Sequence, residues 1–279
     1  MNRFFFLCVA ALISTHLLVA APSDSIAPKI LPYKVVNGDT LKVHIFEPKD
    51  MAEGARLPAI IYFFGGGWIN GTPLQFYREC RYFASRGMVA MTADYRVKSR
   101  HHTTPFESFE DAKDAMRWIR THAGNLHVDP HKIAAAGASA GGQLAAALGT
   151  VGQGTDYCPD LMILYYAVVD NSPSGFGPEE MKQHYRKISP LHNISAHTPP
   201  ALFLVGTKDP IVSVETARRF KELMNEQGVE CELHLFRGAG HPIFYYRKPL
   251  TNTYYEVLRI TSDFLKRQGF LPESPSGRK

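Results

Sequence analysis

The chain has 279 residues, of which 45% are hydrophobic, and it carries a formal net charge of +5. This size and composition are typical of one globular domain with a large core. No Lys/Arg cluster with interleaved aromatic residues is present, so nucleic acid is not expected as a partner. The four cysteines show no C-x-x-C or Cys/His spacing, so no metal site is expected.

Residues 1–21 have the pattern of a secretory signal peptide. Arg3 gives a basic start, residues 4–19 are mostly apolar, and small residues follow. Polar residues at 14–16 interrupt the apolar run, so no stable membrane insertion is expected. An uncleaved N-terminal anchor is the alternative. We therefore predict a secreted or periplasmic protein.

The remaining cysteines are odd in number. Cys8 lies in the predicted signal peptide, which leaves Cys80, Cys158 and Cys231. At most one disulfide can form among these three residues. Cys231 lies in a predicted strand and is expected in the core, and free cysteine is commonly buried.

The N-terminal part of the mature chain predicts a hairpin. A Pro/Ser-containing linker at 22–32 is followed by two predicted strands at 33–36 and 41–46. The intervening Asn37-Gly38-Asp39 is a strong hairpin signal. The main domain is predicted at 33–270, and a flexible tail at 271–279.

From residue 59 onward, predicted strands alternate with predicted helices. The apolar run at 59–64 is typical of a strand buried on both faces of a parallel sheet. A polar loop is expected at 94–104 and a small lid at 170–199. This order predicts an α/β fold with a mostly parallel central sheet, flanking helices and a small or absent cap. Further strands are predicted at 88–93, 133–136, 161–169, 201–205 and 230–236, and helices at 76–85, 106–122, 143–148, 214–227 and 250–268.

The sequence Gly137-Ala138-Ser139-Ala140-Gly141 lies between a predicted strand and an Ala/Leu-rich helix. Strand, sharp turn and helix are the context in which G-x-S-x-G indicates a nucleophile elbow, with an exposed serine hydroxyl. The glycines avoid collisions of a Cβ with the neighbouring strand and helix. A turn of small residues without catalytic function is the alternative.

His241 is the predicted base, because it follows the last predicted strand in a turn-rich loop. Ligand chemistry in such folds lies beyond the carboxyl ends of the strands. Asp209 is the predicted acid, since it follows the strand at 201–205 and lies between Ser139 and His241 in the chain. An Asx turn before Pro210 is its alternative role, and Asp170 is the second candidate for the acid.

Three glycines, Gly65-Gly66-Gly67, end the strand at 59–64 and precede Trp68. Glycines let backbone N–H groups approach a ligand without obstruction by side chains. A tetrahedral intermediate requires such fixed donors. This loop is therefore the predicted oxyanion hole, and a flexible glycine loop is the alternative.

Together these motifs resemble the α/β-hydrolase superfamily, and within it the bacterial esterases related to hormone-sensitive lipase and the acetyl-xylan and feruloyl esterases. The resemblance covers most of residues 33–268. It implies a nucleophile, an acid and a base that require no cofactor and no metal ion. Carried onto this sequence, the catalytic residues are Ser139, Asp209 and His241, and the oxyanion donors are Gly66, Gly67 and Ala140.

The resemblance also implies a function. A secreted serine carboxylesterase would hydrolyse short-chain esters, with acetyl groups on a small molecule or a polysaccharide as the expected substrate. Trp68 and Phe244 are expected at the substrate, with core packing as the alternative for each. A serine peptidase, a lipase of the same superfamily and a non-catalytic ligand-binding homologue are the rival functions.

Two further elements bear on the resemblance. Related esterases often carry His at the start of the glycine loop, where this chain has Phe64, so packing is expected to hold the loop. Asp94-Tyr95-Arg96 matches a family element for which we expect a structural role, with Arg96 paired to a carboxylate such as Asp111.

Overall fold

The computed structural model describes residues 26–244, 246 and 251–272. The predicted signal peptide at 1–21 lies outside the described residues, as does most of the predicted tail. None of the helices within the described ranges is long and apolar enough to cross a membrane.

The described strands form one eight-stranded sheet. They are β1 (Lys29–Val36), β2 (Asp39–Phe46), β3 (Leu57–Phe63), β4 (Val89–Ala93), β5 (Val128–Ala138), β6 (Leu161–Tyr165), β7 (Ala201–Gly206) and β8 (Cys231–Phe236). Their order across the sheet is β1-β2-β4-β3-β5-β6-β7-β8. β1, β2 and β4 pair antiparallel, and the pairs from β4 to β8 are parallel. The predicted α/β class is confirmed.

The N-terminal hairpin is confirmed, but the predicted linker at 22–32 is wrong at its end. Lys29 pairs with Ile45, and Pro32 pairs with Lys42, so residues 29–32 belong to β1. An edge strand tolerates Pro32, because the missing N–H can face away from the sheet. Asn37 has φ 52° and Gly38 has φ 86°, as a tight hairpin turn requires.

Helices flank the sheet and follow the predicted alternation. Thr104 caps α3 (Pro105–Thr121) through a reciprocal capping box with Glu107, which fixes the start of this long helix. α4 (Ala140–Val151) packs against β5 and β6, and α3 packs against α4. The helices are α1 (Tyr77–Ala84), α2 (Lys98–His101), α3 (Pro105–Thr121), α4 (Ala140–Val151), α5 (Pro178–Met181), α6 (Val214–Glu226) and α7 (Thr251–Arg267).

Several predicted boundaries differ from the structure. The strand predicted at 133–136 and the helix predicted at 143–148 are both longer, as β5 and α4. The loop predicted at 94–104 contains the single turn of α2, which ends at His102 in the left-handed region. The strand predicted at 161–169 ends at Tyr165, because Tyr166 has φ 38° and leaves the sheet geometry. The segment at 170–199 contains α5 and two short 3₁₀ turns, Lys182–Lys187 and Pro190–His192, and so forms only a small cap.

The three cysteines of the described chain are free thiols. Cys80 and Cys231 are buried, as expected for core residues. Burial raises the pKa of Cys231 to about 12 and that of Cys158 to about 11, so both thiols stay protonated near neutral pH.

Candidate active site

Ser139 lies on the sharp turn between β5 and α4. Its backbone has φ 54° and ψ −119°, a strained conformation for a residue with a side chain. The Ser139 N–H donates to the carbonyl of Tyr165 at 3.1 Å, and its own carbonyl accepts from the N–H of Gln143 at 3.0 Å. These bonds hold the strained turn between the sheet and the helix.

The flanking glycines let the strand and helix cross closely. A Cβ on Gly137 would lie 2.3 Å from the carbonyl oxygen of Gly141. One on Gly141 would lie 2.1 Å from the carbonyl oxygen of Phe63. Both distances are far below van der Waals contact, so the reason predicted for these glycines is confirmed.

His241 connects the serine to an acid. Its Nε2 atom lies 2.8 Å from Ser139 Oγ, and its Nδ1 atom lies 2.8 Å and 3.0 Å from the two carboxylate oxygens of Asp209. Because a carboxylate only accepts hydrogen bonds, this geometry assigns the proton to Nδ1 and leaves Nε2 to accept from the serine hydroxyl. The Asp209 side chain is fully buried, whereas the imidazole is 16% exposed.

The Asp209 carboxylate also shapes its own loop. Its Oδ1 atom accepts from the backbone N–H groups of Ile211 at 2.8 Å and Val212 at 2.9 Å. The Asx turn considered as an alternative from the sequence therefore exists, and the same carboxylate also contacts His241. Because the carboxylate is buried from solvent, these backbone donors fix its orientation.

The loops that carry the acid and the histidine are docked on each other. The N–H of Lys208 donates to the carbonyl of Ala239 at 2.8 Å, and the N–H of Gly238 donates to Thr207 Oγ1 at 2.8 Å. A Cβ on Gly206 would lie 2.3 Å from the Ala239 carbonyl oxygen. The separation of imidazole and carboxylate is thus set by backbone contacts.

The glycine loop turns tightly beside the serine. Gly66 and Gly67 have φ 137° and 63°, which residues with a side chain rarely adopt. The carbonyl of Gly66 accepts from the N–H groups of Ile69 and Asn70, at 3.0 Å and 3.2 Å. Ala140 is the first residue of α4, where N–H groups lack a partner within the helix and the helix dipole favours negative charge.

Packing holds the glycine loop, as expected from Phe64. The fully buried Phe64 ring stacks on Tyr95 with 4.0 Å between ring centroids. The Tyr95 hydroxyl donates to the Phe64 carbonyl at 2.7 Å, and Gln75 Oε1 accepts from the N–H of Gly65 at 2.5 Å. A neighbouring tyrosine and glutamine thus stabilise the loop.

A cleft of about 480 Å³ contains Ser139 and His241. The glycine loop and Gln75 line one part of it, and Phe176, Ile211 and Pro242 line another. Ser139 is 8% exposed, so the hydroxyl is accessible through the cleft. The arrangement can bind a small acyl group next to an activated hydroxyl.

Solved structures resemble this fold and sequence. Esterase 2 of Thermogutta terrifontis, phosphoramylated by tabun, is 40% identical and has a TM-score of 0.84, covering 89% of this chain and 97% of that chain. The chain belongs to the bacterial esterases of the α/β-hydrolase superfamily. This family of carboxylic ester hydrolases includes the hormone-sensitive-lipase-like group predicted from the motifs. The propionate-bound form of the same Thermogutta esterase is 39% identical, with a TM-score of 0.83, 89% of this chain and 97% of that chain being covered.

Other comparisons agree with this family. The family model described as BD-FAE matches residues 43–174. Esterase LipC of Mycobacterium tuberculosis is 28% identical over 71% of this chain and 55% of its own length. Ethyl acetate hydrolase of Pseudomonas putida is 27% identical over 74% of this chain and 72% of its own length. The chain covers 55% of LipC and 52% of Esterase LipQ of the same organism, and so spans about half the length of each.

Trp68 and Phe244, expected at the substrate, lie in the core of this esterase. Trp68 is 2% exposed and Phe244 is 6% exposed, and neither residue lines the cleft. Trp68 Nε1 donates to Gln143 Oε1 at 3.2 Å, while the Phe244 ring stacks on Tyr165 at 4.5 Å. The packing alternative is therefore correct for both residues in this structure.

The structure also separates the two candidate acids and explains the Asp-Tyr-Arg element. Asp209, and not Asp170, contacts His241; Asp170 Oδ1 instead accepts from the N–H of Ser172 at 2.9 Å. Arg96 forms a two-pronged ion pair with the buried Asp111, at 2.8 Å for both Nε and Nη2. The expected structural role of Arg96 is confirmed.

Sequence reasoning missed three residues of the site. The Tyr166 ring meets His241 edge-on, with 4.8 Å between centroids and an angle of 67°. Gln75 accepts a hydrogen bond from the N–H of Gly65 in the glycine loop. Gln143 accepts one from Nε1 of Trp68, which follows that loop. Gln143 was recognisable as a polar residue in an otherwise Ala/Leu-rich helix, whereas Tyr166 lies within an apolar run and carries no signal.

Among the described residues, no group of three or more His, Cys, Asp or Glu could hold a metal ion.

Proposed function

We propose that this protein is a serine carboxylesterase that hydrolyses short-chain esters through an acyl-enzyme. The observation that supports this most directly is the bonding of one imidazole to both Ser139 Oγ and Asp209. Nucleophile, base and orienting acid in this geometry are the features of acyl transfer.

In the first half of the reaction, His241 Nε2 takes the proton of Ser139 as the hydroxyl attacks the ester carbonyl. Asp209 stabilises the imidazolium that forms, and holds the ring in the required tautomer. The backbone N–H groups of Gly66, Gly67 and Ala140 are the proposed donors to the oxyanion. Each such donor lowers the barrier by about 3–4 kcal/mol.

The first half ends when the bond between the carbonyl carbon and the leaving oxygen breaks, His241 gives its proton to that oxygen, and the alcohol departs from the acyl-enzyme. In the second half, water enters, and His241 takes its proton as the oxygen attacks the acyl-enzyme. Collapse of the second intermediate releases the acid and returns the proton to Ser139. The chain's own residues supply every proton transfer in this cycle.

Small acyl groups are the proposed substrates, with acetyl esters first, on a small molecule or a polysaccharide. Thermogutta terrifontis esterase 2 was solved with propionate and with butyrate bound, and another relative is an ethyl acetate hydrolase. The cleft of about 480 Å³ suits such groups. The small cap leaves room for a larger alcohol.

The decisive experiment measures hydrolysis of p-nitrophenyl acetate and acetate release from acetylated xylan. Ser139→Ala should abolish both reactions and labelling by a fluorophosphonate probe, whereas Ser85→Ala, at an exposed serine beyond α1, should retain them. Cleavage of the nitrophenyl ester alone would contradict the polysaccharide substrate. Activity that survives in Ser139→Ala would contradict the mechanism.

Secretion is a second proposal, based on the sequence of residues 1–21. N-terminal sequencing of the protein from a secreting host should find a chain that begins shortly after Ala21. Recovery of the full-length chain in the cytosol would contradict it.

A further inference from the structure

A second cleft lies beside the catalytic one. Its volume is about 360 Å³, and it shares Phe176 and Ile211 with the catalytic cleft. One wall comes from the residues after β6, with Asp170 and Ser174, and another from the segment after β7, with Ser213 and Thr216. The proposed mechanism assigns no role to any of these four polar residues.

The position of this cleft fits the alcohol side of an ester. The leaving oxygen has to come within reach of His241 Nε2, which returns the proton to it. Ile211 stands two residues after Asp209, in the loop that orients His241, and its N–H donates to the Asp209 carboxylate. A substituent on the leaving oxygen that passes Ile211 and Phe176 therefore enters the second cleft.

The loop that carries Asp170 is preformed. Its carboxylate accepts from the N–H of Ser172 at 2.9 Å, and its carbonyl accepts from the N–H of Phe176 at 3.0 Å. A Cβ on Gly175 would lie 2.3 Å from the Asp170 carbonyl oxygen, so the loop is closed on itself. A ligand would not have to order this wall, which reduces the entropic cost of binding.

The chemistry of the walls favours hydroxyl groups. A carboxylate accepts hydrogen bonds only, whereas the hydroxyls of Ser174, Ser213 and Thr216 both donate and accept. Ser213 Oγ accepts from the N–H of Thr216 at 3.0 Å and lies 2.9 Å from Thr216 Oγ1. The bond between the two hydroxyls uses one of their two hydrogens, so the other can be donated to a ligand. A neutral hydroxyl can donate to Asp170 and accept from the opposite pair. An ammonium group only donates, and a second carboxylate would be repelled.

We propose that this second cleft is a subsite for a polyhydroxylated, sugar-like alcohol portion of the ester, and that Asp170 is a specificity-determining residue. This inference rests on the proposed esterase function and names the alcohol that it prefers. Asp170 accepts a hydrogen bond from a ring hydroxyl, and the carboxylate orients the sugar so that its ester oxygen faces His241.

The test compares kcat and KM for three acetate esters, namely an acetylated methyl xyloside, phenyl acetate and acetylcholine. Asp170→Asn keeps an oxygen for the Ser172 N–H but removes the charge. It should raise KM for the xyloside by about 10-fold, the loss of one hydrogen bond to a charged group, and leave phenyl acetate unchanged. Thr216→Val should also raise KM for the xyloside. The control Asp156→Asn, at an exposed carboxylate elsewhere, should leave kcat and KM unchanged for both the xyloside and phenyl acetate.

The outcomes separate the subsite from the enzyme. If Asp170→Asn folds and cleaves the xyloside as well as the wild type does, the subsite is overturned and the esterase function stands. A selective loss of acetylcholine hydrolysis would instead indicate a cation site and overturn the sugar assignment. If the wild type cleaves none of the three esters, the esterase function itself fails, and the subsite fails with it.

Discussion

Gln143 connects Trp68, next to the glycine loop, to the small cap. Its Oε1 atom accepts from Trp68 Nε1 at 3.2 Å, and its Nε2 atom donates to the carbonyl of Ile188 at 2.7 Å. The Gln143 side chain is completely buried. One amide on the helix that follows Ser139 thus fixes the relative position of two segments that border the catalytic cleft.

Replacing this amide should impair both stability and activity. Gln143→Leu keeps the approximate volume but leaves a buried indole N–H and a buried carbonyl without a partner. We expect the free energy of unfolding to fall by about 2–4 kcal/mol and kcat to fall more than KM rises, because the oxyanion donors shift. Urea unfolding and ester hydrolysis measure these effects. Gln227→Leu, at an exposed position, is the control, and an unchanged kcat in Gln143→Leu would contradict the coupling.

Asp209→Asn tests the acid directly. The amide presents an N–H₂ group or its oxygen to His241 Nδ1, so the ring loses its fixed tautomer. We expect kcat for p-nitrophenyl acetate to fall on the order of 10⁴-fold with a folded protein. Asp156→Asn, which changes an exposed carboxylate away from the site, provides the control. If Asp209→Asn keeps the kcat of Asp156→Asn, Asp209 is not the acid.

The sequence predicted those parts of the molecule that depend on local patterns. Ser139, Asp209 and His241 each follow a predicted parallel strand, and topology alone brings such positions to one edge of the sheet. Asn37-Gly38 predicted the hairpin in the same local way. Each of these features needs only a few neighbouring residues to be recognised.

Features that depend on the packing of distant segments were not predictable. Trp68 follows the glycine loop, but whether its ring turns toward substrate or core depends on Gln143, 75 residues away. The backbone of Tyr166 has φ 38°, which ends the β6 strand, and its ring meets His241. An apolar run in the sequence does not reveal that bend. Phe244 likewise stacks on Tyr165, a contact between segments far apart in the chain.

Asp111→Asn should reduce stability without a change in chemistry. The buried carboxylate accepts from Lys34 Nζ at 2.6 Å, from the N–H of Arg96 at 2.9 Å and from its guanidinium at 2.8 Å. Its loss leaves the buried Arg96 guanidinium without its ion-pair partner, which costs about 3–5 kcal/mol. Lys34 keeps its second ion pair, with Asp114 at 2.7 Å. We expect a lower melting temperature and an unchanged kcat below it.

The control for this change is Asp263→Asn, which breaks an exposed pair with Arg259. Such pairs contribute about 0–1 kcal/mol. If both variants melt at the same temperature, the buried network does not stabilise the fold. A loss of kcat in fully folded Asp111→Asn would show that the Asp-Tyr-Arg element takes part in catalysis.

Glu79 should make stability depend on pH. It lies in α1 at 3% exposure, and its Oε2 atom has no hydrogen-bond partner among the described residues. Burial raises the pKa of Glu79 from its ordinary 4.5 to about 7, against the smaller opposing effects of its own backbone, Tyr254 and Arg78. The folded protein therefore binds a proton that the unfolded chain releases at a lower pH.

The stabilising effect of that proton is complete below pH 4.5 and is lost as the pH rises through about 7. Glu79→Gln stays neutral at every pH. We expect its free energy of unfolding, relative to that of the wild type, to increase by ~3 kcal/mol between pH 4.5 and pH 8. Urea unfolding across this range measures the difference. For the control Glu256→Gln, at an exposed site on α7, the free energy of unfolding relative to the wild type should not change with pH. If that difference is also independent of pH for Glu79→Gln, the buried carboxyl group does not control stability in this pH range.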